Sequence, residues 1–262
     1  YIAEGMDQTR GWFYTLLAVA TALGYEAPYK NVVSLGLIND KFGRKMSKSK
    51  GNVVEPFTVI DKYGADAVRW YFYTVNPPGE TKNFDEQELQ KTFRQFHLIL
   101  WNSLVFWKTY ALKKSDLKFK ISDPKNLLDK WILARLNEVT EAATRNLENY
   151  EIRDAALAIG SFIDDLSRWY IRRSRRRFQP ARRSFGEKGR EGNQRDYREA
   201  SATLGFVIRE TAKLVAPFTP FFAEAIFSSF GKESVHLADW PTLRSRSGRT
   251  TREAERKFLK RR

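Results

Sequence analysis

Apolar residues recur three and four positions apart through most of the chain that follows residue 85, and this spacing constrains the fold more than any other feature. In the first such stretch, Asp85 is expected to open a long helix with apolar positions at Leu89, Phe93, Phe96, Leu100, Leu104, Trp107 and Ala111. The period places these side chains on one side of an α-helix. Similar stripes run through residues 128–143, 152–170, 203–216 and 220–230. The later part of the chain is therefore predicted to be an all-α helix bundle.

The first 63 residues show a different pattern, which mixes helix and strand signals. Gln8–Leu23 is predicted to be a helix that Gly24 ends, with Leu16, Leu17, Val19 and Ala20 available for burial. Residues 31–38 form a short apolar run rich in β-branched residues, which predicts a strand buried on both faces of a parallel sheet. A polar loop over residues 39–52 follows, and Pro56–Tyr63 is predicted to be a short helix. This region is therefore expected to be α/β.

Composition narrows the classes of function. The net charge is +15, with 46 basic and 31 acidic residues, which favours a polyanionic partner such as nucleic acid. Because there is no cysteine, disulfides, thiolate catalysis and cysteine-ligated zinc are excluded. His97 and His236 are far apart and form no metal-ligand pattern, so no metal site is expected. The longest apolar stretch, Trp12–Leu23, is too short to span a bilayer, and a cytoplasmic protein without membrane contact is expected.

A Lys-rich loop between two glycines carries the first chemical signal. Arg44, Lys45, Lys48 and Lys50 lie between Gly43 and Gly51, directly after the predicted strand. A loop at the carboxyl end of a parallel strand is where α/β sheets bind ligands, and its lysines can neutralise a triphosphate. The alternative is a solvated loop without a ligand.

The string Lys45-Met46-Ser47-Lys48-Ser49 resembles the KMSKS signature of class I aminoacyl-tRNA synthetases. The resemblance implies ATP, accompanied by Mg²⁺, as a substrate. Lys45, Ser47 and Lys48 would bind ATP, and Lys45 and Lys48 would be catalytic. Both lysines would stabilise charge while an amino-acid carboxylate attacks the α-phosphate and pyrophosphate leaves, with Lys48 favoured as the more important.

A second group of polar residues lies at the start of the chain. Glu4 and Asp7 flank Gly5 just before the first predicted helix, where carboxylates can cap the helix or accept hydrogen bonds from a ligand. Residues 4–13 resemble the EGxDQxRGWF block of isoleucyl-tRNA synthetases. The resemblance implies that Glu4, Gly5, Asp7 and Gln8 line the aminoacyl-adenylate site, with Asp7 on the ribose. Trp12 would form a wall of the isoleucine pocket, and its alternative is plain core packing.

The third group is a run of arginines within residues 166–178. On a helix, Arg168, Arg172 and Arg175 or Arg176 share one face, while Phe162, Ile163, Leu166 and Tyr170 point to the core. Such a basic ridge with aromatic neighbours suits RNA. The alternative is a salt-bridged surface helix in which Asp164 pairs with Arg168, but one such pair cannot neutralise six arginines. The stretch resembles the WYxRRSRRRF segment in the anticodon-binding domain of the same synthetases. The implied tRNA-binding residues are Arg168, Trp169, Arg172, Arg173, Arg175 and Arg176.

Together these resemblances run over residues 1–241 and imply three regions. Residues 1–63 would be the carboxy-terminal part of a Rossmann-like catalytic domain, residues 64–120 a connecting helical region that contacts the tRNA stem, and residues 121–262 an anticodon-binding helical domain with a basic tail. The HIGH tetrapeptide of the family is absent, so the chain is expected to be a partial enzyme, cut from a larger protein and inactive alone. Gln179 and Leu35 stand where the family commonly has Trp and His.

The expected partners are isoleucine, ATP and tRNA(Ile), and the complete enzyme is expected to be monomeric. Three alternatives stay open at this point. The chain could come from a valyl-tRNA synthetase-like enzyme, act as a non-catalytic basic module that binds tRNA, or be a truncated product without a role of its own.

Overall fold

A computed structural model describes residues 1–112, 124–178 and 187–241, with the backbone alone for residues 187–193. An α/β region comes first and a helical domain follows it, as predicted. The strands are β1 (Ile2–Gly5), β2 (Val32–Leu35), β3 (Ile38–Asn39) and β4 (Lys82–Asn83). The helices are α1 (Trp12–Ala22), α2 (Pro56–Tyr63), α3 (Ala65–Thr74), α4 (Glu86–Phe93), α5 (Ile99–Tyr110), α6 (Leu127–Glu148), α7 (Ile152–Asp164), α8 (Arg172–Ser174), α9 (Glu187–Val215) and α10 (Pro220–Phe227).

The strands form two small parallel pairs. β1 lies beside β2, with Ile2 opposite Val32 and Gly5 opposite Leu35, and β3 lies beside β4. The prediction of one strand over residues 31–38, buried on both faces, was wrong. Gly36 separates β2 from β3, and Val32, Leu35 and Ile38 are 41–45% exposed. A two-stranded pair cannot cover its own faces, so these apolar side chains meet solvent.

α1 begins later than predicted, because residues 6–10 form a 3₁₀ turn that precedes it. Phe13 and Ala20 are buried, whereas Leu16, Leu17 and Val19, which were expected to be available for burial, are 37–57% exposed. α2 has its predicted bounds, since Pro56 supplies the fixed φ of a first helical residue and Gly64 follows with φ +85°.

The predicted long helix from Asp85 forms with one irregularity. Asp85 caps α4 by accepting a hydrogen bond from Gln87 N, and a π-helical turn at Arg94–Leu98 joins α4 to α5. Leu89, Leu100 and Leu104 are fully buried, as their spacing predicts.

The main hydrophobic core lies between α5, α6, α7, α9 and α10. Its members come from the predicted stripes, and Phe162, Ile163, Leu166 and Tyr170 are completely buried. α7 continues through a π-helical segment at Asp165–Ile171, then α8, and then a 3₁₀ turn at Arg175–Phe178. The arginine run therefore lies on one continuous helical segment, and the inner side of this segment packs into the core.

Residues 179–195 are rich in Gly and Arg, which is typical of a loop, but α9 already begins at Glu187. Gln179 and residues 242–262, the predicted basic tail, lie outside the described residues. Within the ranges that are described, no helix has the length and apolar character needed to cross a bilayer.

Candidate functional site

Asp40 organises the base of the Lys-rich loop. Its carboxylate is buried and accepts hydrogen bonds from the backbone N–H groups of Phe42 and Arg44, at 3.0 and 2.9 Å, and from Arg44 Nε at 2.9 Å. Asn52 Nδ2 donates to the same carboxylate at 3.1 Å, and Asn52 Oδ1 accepts from Ser47 N at 2.9 Å. Gly43 adopts φ +77°, which closes the turn between them. The two ends of the loop are therefore tied together through Asp40 and Asn52.

The electrostatics of Asp40 follow from these bonds. Burial alone would raise the pKa of its carboxyl group, but the hydrogen bonds from Asn52, Arg44 and Phe42 favour the charged form and lower the pKa to about 2. Asp40 is therefore a permanent anion at neutral pH. Its hydrogen bonds fix the turn, and Lys45 and Lys48 beyond the turn are exposed to solvent.

The loop itself divides into an anchored and an exposed side. Met46 packs against the small core formed by Val59, Tyr71, Phe84 and Leu89. Ser47 is partly buried, and its hydroxyl lies 3.2 Å from that of Ser49. Lys45 and Lys48 are exposed, and Lys48 starts a 3₁₀ turn that ends at Gly51 with φ +63°. The ammonium groups of the two lysines are thus available to an anion above the loop.

The amino-terminal group is built around a pair of side chains, Asp7 and Gln8. Gln8 Nε2 donates to Asp7 Oδ2 at 3.0 Å, and Gln8 Oε1 accepts from Trp12 N at 2.9 Å. A side chain on either glycine that flanks this pair would make Asp7 or Gln8 move. A Cβ on Gly5 would lie 2.6 Å from Asp7 Oδ1, and a Cβ on Gly11 would lie 2.7 Å from Gln8 Oε1.

The structure of residues 4–12 differs from the sequence-based expectations in two respects. The side chain that satisfies the amino-terminal N–H of α1 is Gln8, so the capping role considered for Glu4 and Asp7 was wrong. Trp12 is 49% exposed, which contradicts its alternative as a core residue. Glu4 and Asp7 are exposed at the carboxyl end of β1, where a ligand can reach them.

The predicted RNA-binding residues form an arginine ridge, which we define as Arg168, Arg172, Arg173, Arg175 and Arg176, all exposed. Arg168 pairs with Asp164 at 2.7 Å, as the salt-bridge alternative predicted. The Arg173 guanidinium lies 3.9 Å from the centre of the Trp169 ring. Five exposed arginines within residues 168–176 give this surface a high density of positive charge.

Arg177, the last arginine of the run, points into the protein instead. Its guanidinium donates to both carboxylate oxygens of Asp129 at 2.7 Å, and to Asp196 at 2.7–3.0 Å. Tyr170 donates its hydroxyl hydrogen to Asp129 at 2.6 Å, and burial together with the Asp129 charge raises the pKa of Tyr170. Burial opposes the charge of Arg177, but the bonds to Asp129 and Asp196 raise its pKa. This cluster joins the end of the ridge to α6 and α9.

Asp40, Asn52 and Arg177 were not predicted from the sequence. Signals existed for all three. Asp40 and Asn52 flank the two glycines of the loop, and Arg177 follows the buried Tyr170 by seven residues, which is the same side of a helix. In the described part of the chain, no group of three or more His, Cys, Asp or Glu side chains is arranged to hold a metal ion.

Comparison with known families gives two matches that divide the chain. Residues 1–85 match the family described as tRNA synthetases class I (I, L, M and V), and residues 129–261 match the anticodon-binding domain of tRNA ligase.

Curated relatives give a consistent result. The chain is 44% identical over 249 residues to the isoleucine–tRNA ligase of Deinococcus radiodurans, which covers 94% of the chain and 22% of that protein. It is 42% identical to the isoleucine–tRNA ligase of Clostridium novyi and 43% identical to that of Thermus thermophilus, each over 92% of the chain and 23% of the relative. The chain thus spans less than a quarter of the length of these relatives.

Solved structures share the fold. A leucyl-tRNA synthetase of Agrobacterium radiobacter K84, in a ternary complex with tRNA and LeuAMS, matches with a TM-score of 0.67 and 24% identity over 93% of the chain and 28% of that structure. The methionyl-tRNA synthetase of Mycobacterium tuberculosis with methionyl-adenylate matches with a TM-score of 0.69 and 20% identity over 94% of the chain and 49% of that structure.

Proposed function

We propose, because this chain belongs to the class I tRNA synthetases that carry the anticodon-binding domain of tRNA ligases, that it is part of an enzyme that attaches isoleucine to its cognate tRNA. Isoleucine is favoured over the other amino acids of the family by relatives at 42–44% identity that are named isoleucine–tRNA ligases. The chain would supply the ATP-phosphate loop and the helical domain for tRNA, and further parts of the enzyme would complete the active site.

The observation that carries the proposal is the construction of the Lys45–Ser49 loop. Its base is fixed by Asp40 and Asn52, and the side chains of Lys45 and Lys48 are exposed. In the proposed first step, an isoleucine carboxylate oxygen attacks the α-phosphorus of ATP, and the bond to the bridging oxygen of pyrophosphate breaks. The two ammonium groups would stabilise the charge that collects on the departing pyrophosphate. Mg²⁺ would arrive with ATP as part of the substrate.

The second step would transfer the isoleucyl group. A ribose hydroxyl of the tRNA attacks the carbonyl carbon of isoleucyl-adenylate, and AMP leaves. We propose that Asp7 holds the ribose of the adenylate, with Glu4 and Gln8 near its amino-acid end. Gly5 would line the same site, and Trp12 would lie against the isoleucine side chain. The exposure of Asp7 and Trp12 supports this assignment, because a ligand can reach both side chains.

The proposal is tested in a chimera in which residues 1–241 replace the matching segment of the Thermus thermophilus isoleucine–tRNA ligase. The chimera is expected to catalyse isoleucine-dependent exchange of pyrophosphate with ATP, and Lys48→Ala is expected to slow that exchange by about 100-fold. Lys41→Ala is the matched control, since Lys41 is another exposed lysine just before the loop. Exchange that depends on valine alone would identify a valyl-type enzyme, and an undiminished rate in Lys48→Ala would remove the proposed role of the loop.

Binding of tRNA through the arginine ridge is the second part of the proposal. It is supported by the match to the anticodon-binding domain and by the exposed guanidinium groups of Arg172, Arg175 and Arg176. The affinity of the chain for tRNA is expected to fall steeply with salt. Arg172→Gln or Arg176→Gln should each reduce the slope of log K against log salt by about 1.

Arg145→Gln provides the control for the ridge, because Arg145 is an exposed arginine of α6 outside it. This variant should leave the slope unchanged. If tRNA affinity did not respond to salt, or if Arg145 and Arg172 variants behaved alike, the ridge would not be the RNA-binding surface.

A further inference from the structure

A cavity of about 310 Å³ lies where the α/β region meets the helical domain. Its walls come from Ile38 of β3, Phe72 and Tyr73 of α3, and Ile152 at the start of α7. The lining is mostly apolar, and the volume falls at the lower end of the range of about 300–1,000 Å³ found for small-molecule sites. None of the residues assigned above to ATP, isoleucine or tRNA lines it.

Three cationic side chains, Arg69, Lys82 and Arg153, line the same cavity. No acidic residue is among the described residues that line it. Arg69 already pairs at 2.9 Å with Asp66, a carboxylate that does not line the cavity, so the charge of Arg69 is already neutralised. The other two cations decide the chemistry of the cavity.

Lys82 is only 7% exposed, yet among the described residues its ammonium group contacts no carboxylate. It donates to Asn76 Oδ1, to the Asn76 carbonyl and to the Pro77 carbonyl, which satisfy its hydrogens without neutralising its charge. Burial and repulsion from Arg153 lower the pKa of Lys82, against attraction from the exposed Glu80. An anion in the cavity would relieve this repulsion.

Arg153 retains unused hydrogen-bonding capacity. Its Nε is buried and has no acceptor within the described structure. Within the described part of the chain it forms an ion pair with Asp154, but the distance of 3.9 Å from Nη1 to the carboxylate is too long for a hydrogen bond. A buried guanidinium N–H without an acceptor is costly and gains from any carboxylate that reaches it.

We propose that this cavity binds a small amphiphilic carboxylate, with its apolar body against Ile38, Phe72 and Ile152 and its carboxylate beside Arg153 and Lys82. The apolar walls disfavour a strongly hydrated anion such as inorganic phosphate. The cations disfavour a neutral hydrocarbon. A ligand here would contact both the α/β region and the helical domain, and would stabilise their junction. The inference does not rest on the proposed ligase function.

The test is calorimetric titration of the chain with sodium octanoate, and separately with octan-1-ol as a neutral analogue of similar length. Octanoate is expected to bind at one site and at least about tenfold more tightly than octanol, the range for hydrogen bonds to charged groups. Arg153→Gln should weaken octanoate binding by about tenfold without changing the affinity for octanol.

Two further variants locate the site. Ile152→Trp fills the cavity and should abolish binding of both compounds, whereas Arg145→Gln, at an exposed arginine that does not line the cavity, should change neither. A circular dichroism melt of each variant establishes that it is folded. Equal affinities for octanoate and octanol, an unaffected Arg153→Gln variant, or binding that persists in Ile152→Trp would each overturn the proposal. Binding to this chain but not to the folded Thermus chimera would show that the cavity is filled by polypeptide in the complete enzyme, and would overturn it as well.

Discussion

Asp40 accepts four hydrogen bonds with one carboxylate, of which three come from Phe42 and Arg44 before the Lys45–Ser49 loop and one comes from Asn52 after it. An amide in the same place would keep one acceptor oxygen but would present an NH₂ group to Arg44 Nε and Asn52 Nδ2, which are themselves donors. The charge of this single residue therefore determines whether the loop has a fixed base.

Asp40→Asn is predicted to destabilise the protein at neutral pH, and the difference from the unsubstituted chain should depend on pH. The folded pKa of Asp40, about 2, lies below the usual value of 3.8 for an aspartate. The charged carboxylate therefore contributes stability above pH 4, and this contribution is lost as the pH falls towards 2. The difference between the urea midpoints of the two proteins should narrow as the pH falls from 7 to 3. A constant difference over that range would contradict the assignment.

His97 is a second residue whose environment makes stability depend on pH. It is 4% exposed, neither ring nitrogen has a partner in the described structure, and its ring lies 4.8 Å from Phe222 and 5.3 Å from Phe93 between ring centres. Burial lowers its pKa from 6.5 to about 4. Between those values the unfolded chain binds a proton that the folded protein does not, so stability should fall as the pH drops from 7 to 4.

His97→Phe is predicted to remove this part of the pH dependence and to stabilise the protein at pH 5. Phe retains a ring of similar size and removes two buried polar atoms without partners. The comparison is made by thermal melting at pH 7 and pH 5, with His236→Phe as the control because His236 is exposed. A variant with the same loss of stability on acidification as the unsubstituted chain would show that His97 is not responsible.

At the scale of elements, the junction between β2 and β3 depends on a close approach of two backbones. A Cβ on Gly36 would lie 2.1 Å from the Glu80 carbonyl oxygen and 2.8 Å from Thr81 N, and Gly36 N donates to the Pro78 carbonyl at 2.8 Å. The segment that leads into β4 can pair with β3 only because residue 36 has no side chain.

Gly36→Ala is therefore predicted to destabilise the protein by about 1–3 kcal/mol, the usual cost of inserting a methyl group into a packed site. Gly79→Ala tests the same junction without the clash, because its Cβ would meet its nearest neighbour, Ser34 O, at 3.6 Å. Urea denaturation of both variants should show a loss for residue 36 and little change for residue 79. Equal losses would mean that the effect comes from backbone freedom and not from contact.

At the scale of the whole molecule, Arg177 is the residue through which the arginine ridge is joined to the rest of the helical domain. It binds Asp129 of α6 and Asp196 of α9, while the adjacent Arg176 is exposed. Arg177 therefore stabilises the fold, whereas its neighbour Arg176 is available at the surface.

Arg177→Met is predicted to cost about 3–5 kcal/mol, because it leaves two carboxylates, one of them fully buried, without a cation. Arg176→Met should leave the free energy of unfolding within about 0.5 kcal/mol of its original value and should weaken tRNA binding. Urea unfolding and tRNA titration of both variants give the comparison. The division of tasks would be refuted if Arg176→Met destabilised the domain as much as Arg177→Met.

Much of this organisation could be predicted from local signals. Pro56 and Gly64 give the bounds of α2, and the three-and-four spacing identifies Leu100, Phe162 and Tyr170 as core residues. Spacing shows which side of a helix is apolar but not what covers it, and so Leu16 and Val19 were misjudged. Asp40 and Arg177 were missed because their partners are distant in sequence or carry no pattern of their own. The assignments of Lys48, Asp7 and Arg172 to ligands remain predictions that rest on family resemblance and on exposure.

The π-helical segment Asp165–Ile171 also limits how this region can change. Its turns are wider than those of a regular α-helix and hold more residues. The direction in which the side chains after Ile171 point therefore depends on how this segment is wound. Deleting one residue there should let the segment close into a more regular α-helix that keeps Arg177 on the side of Asp129. Inserting one residue should instead rotate the following side chains by about 100° and turn Arg177 away from Asp129.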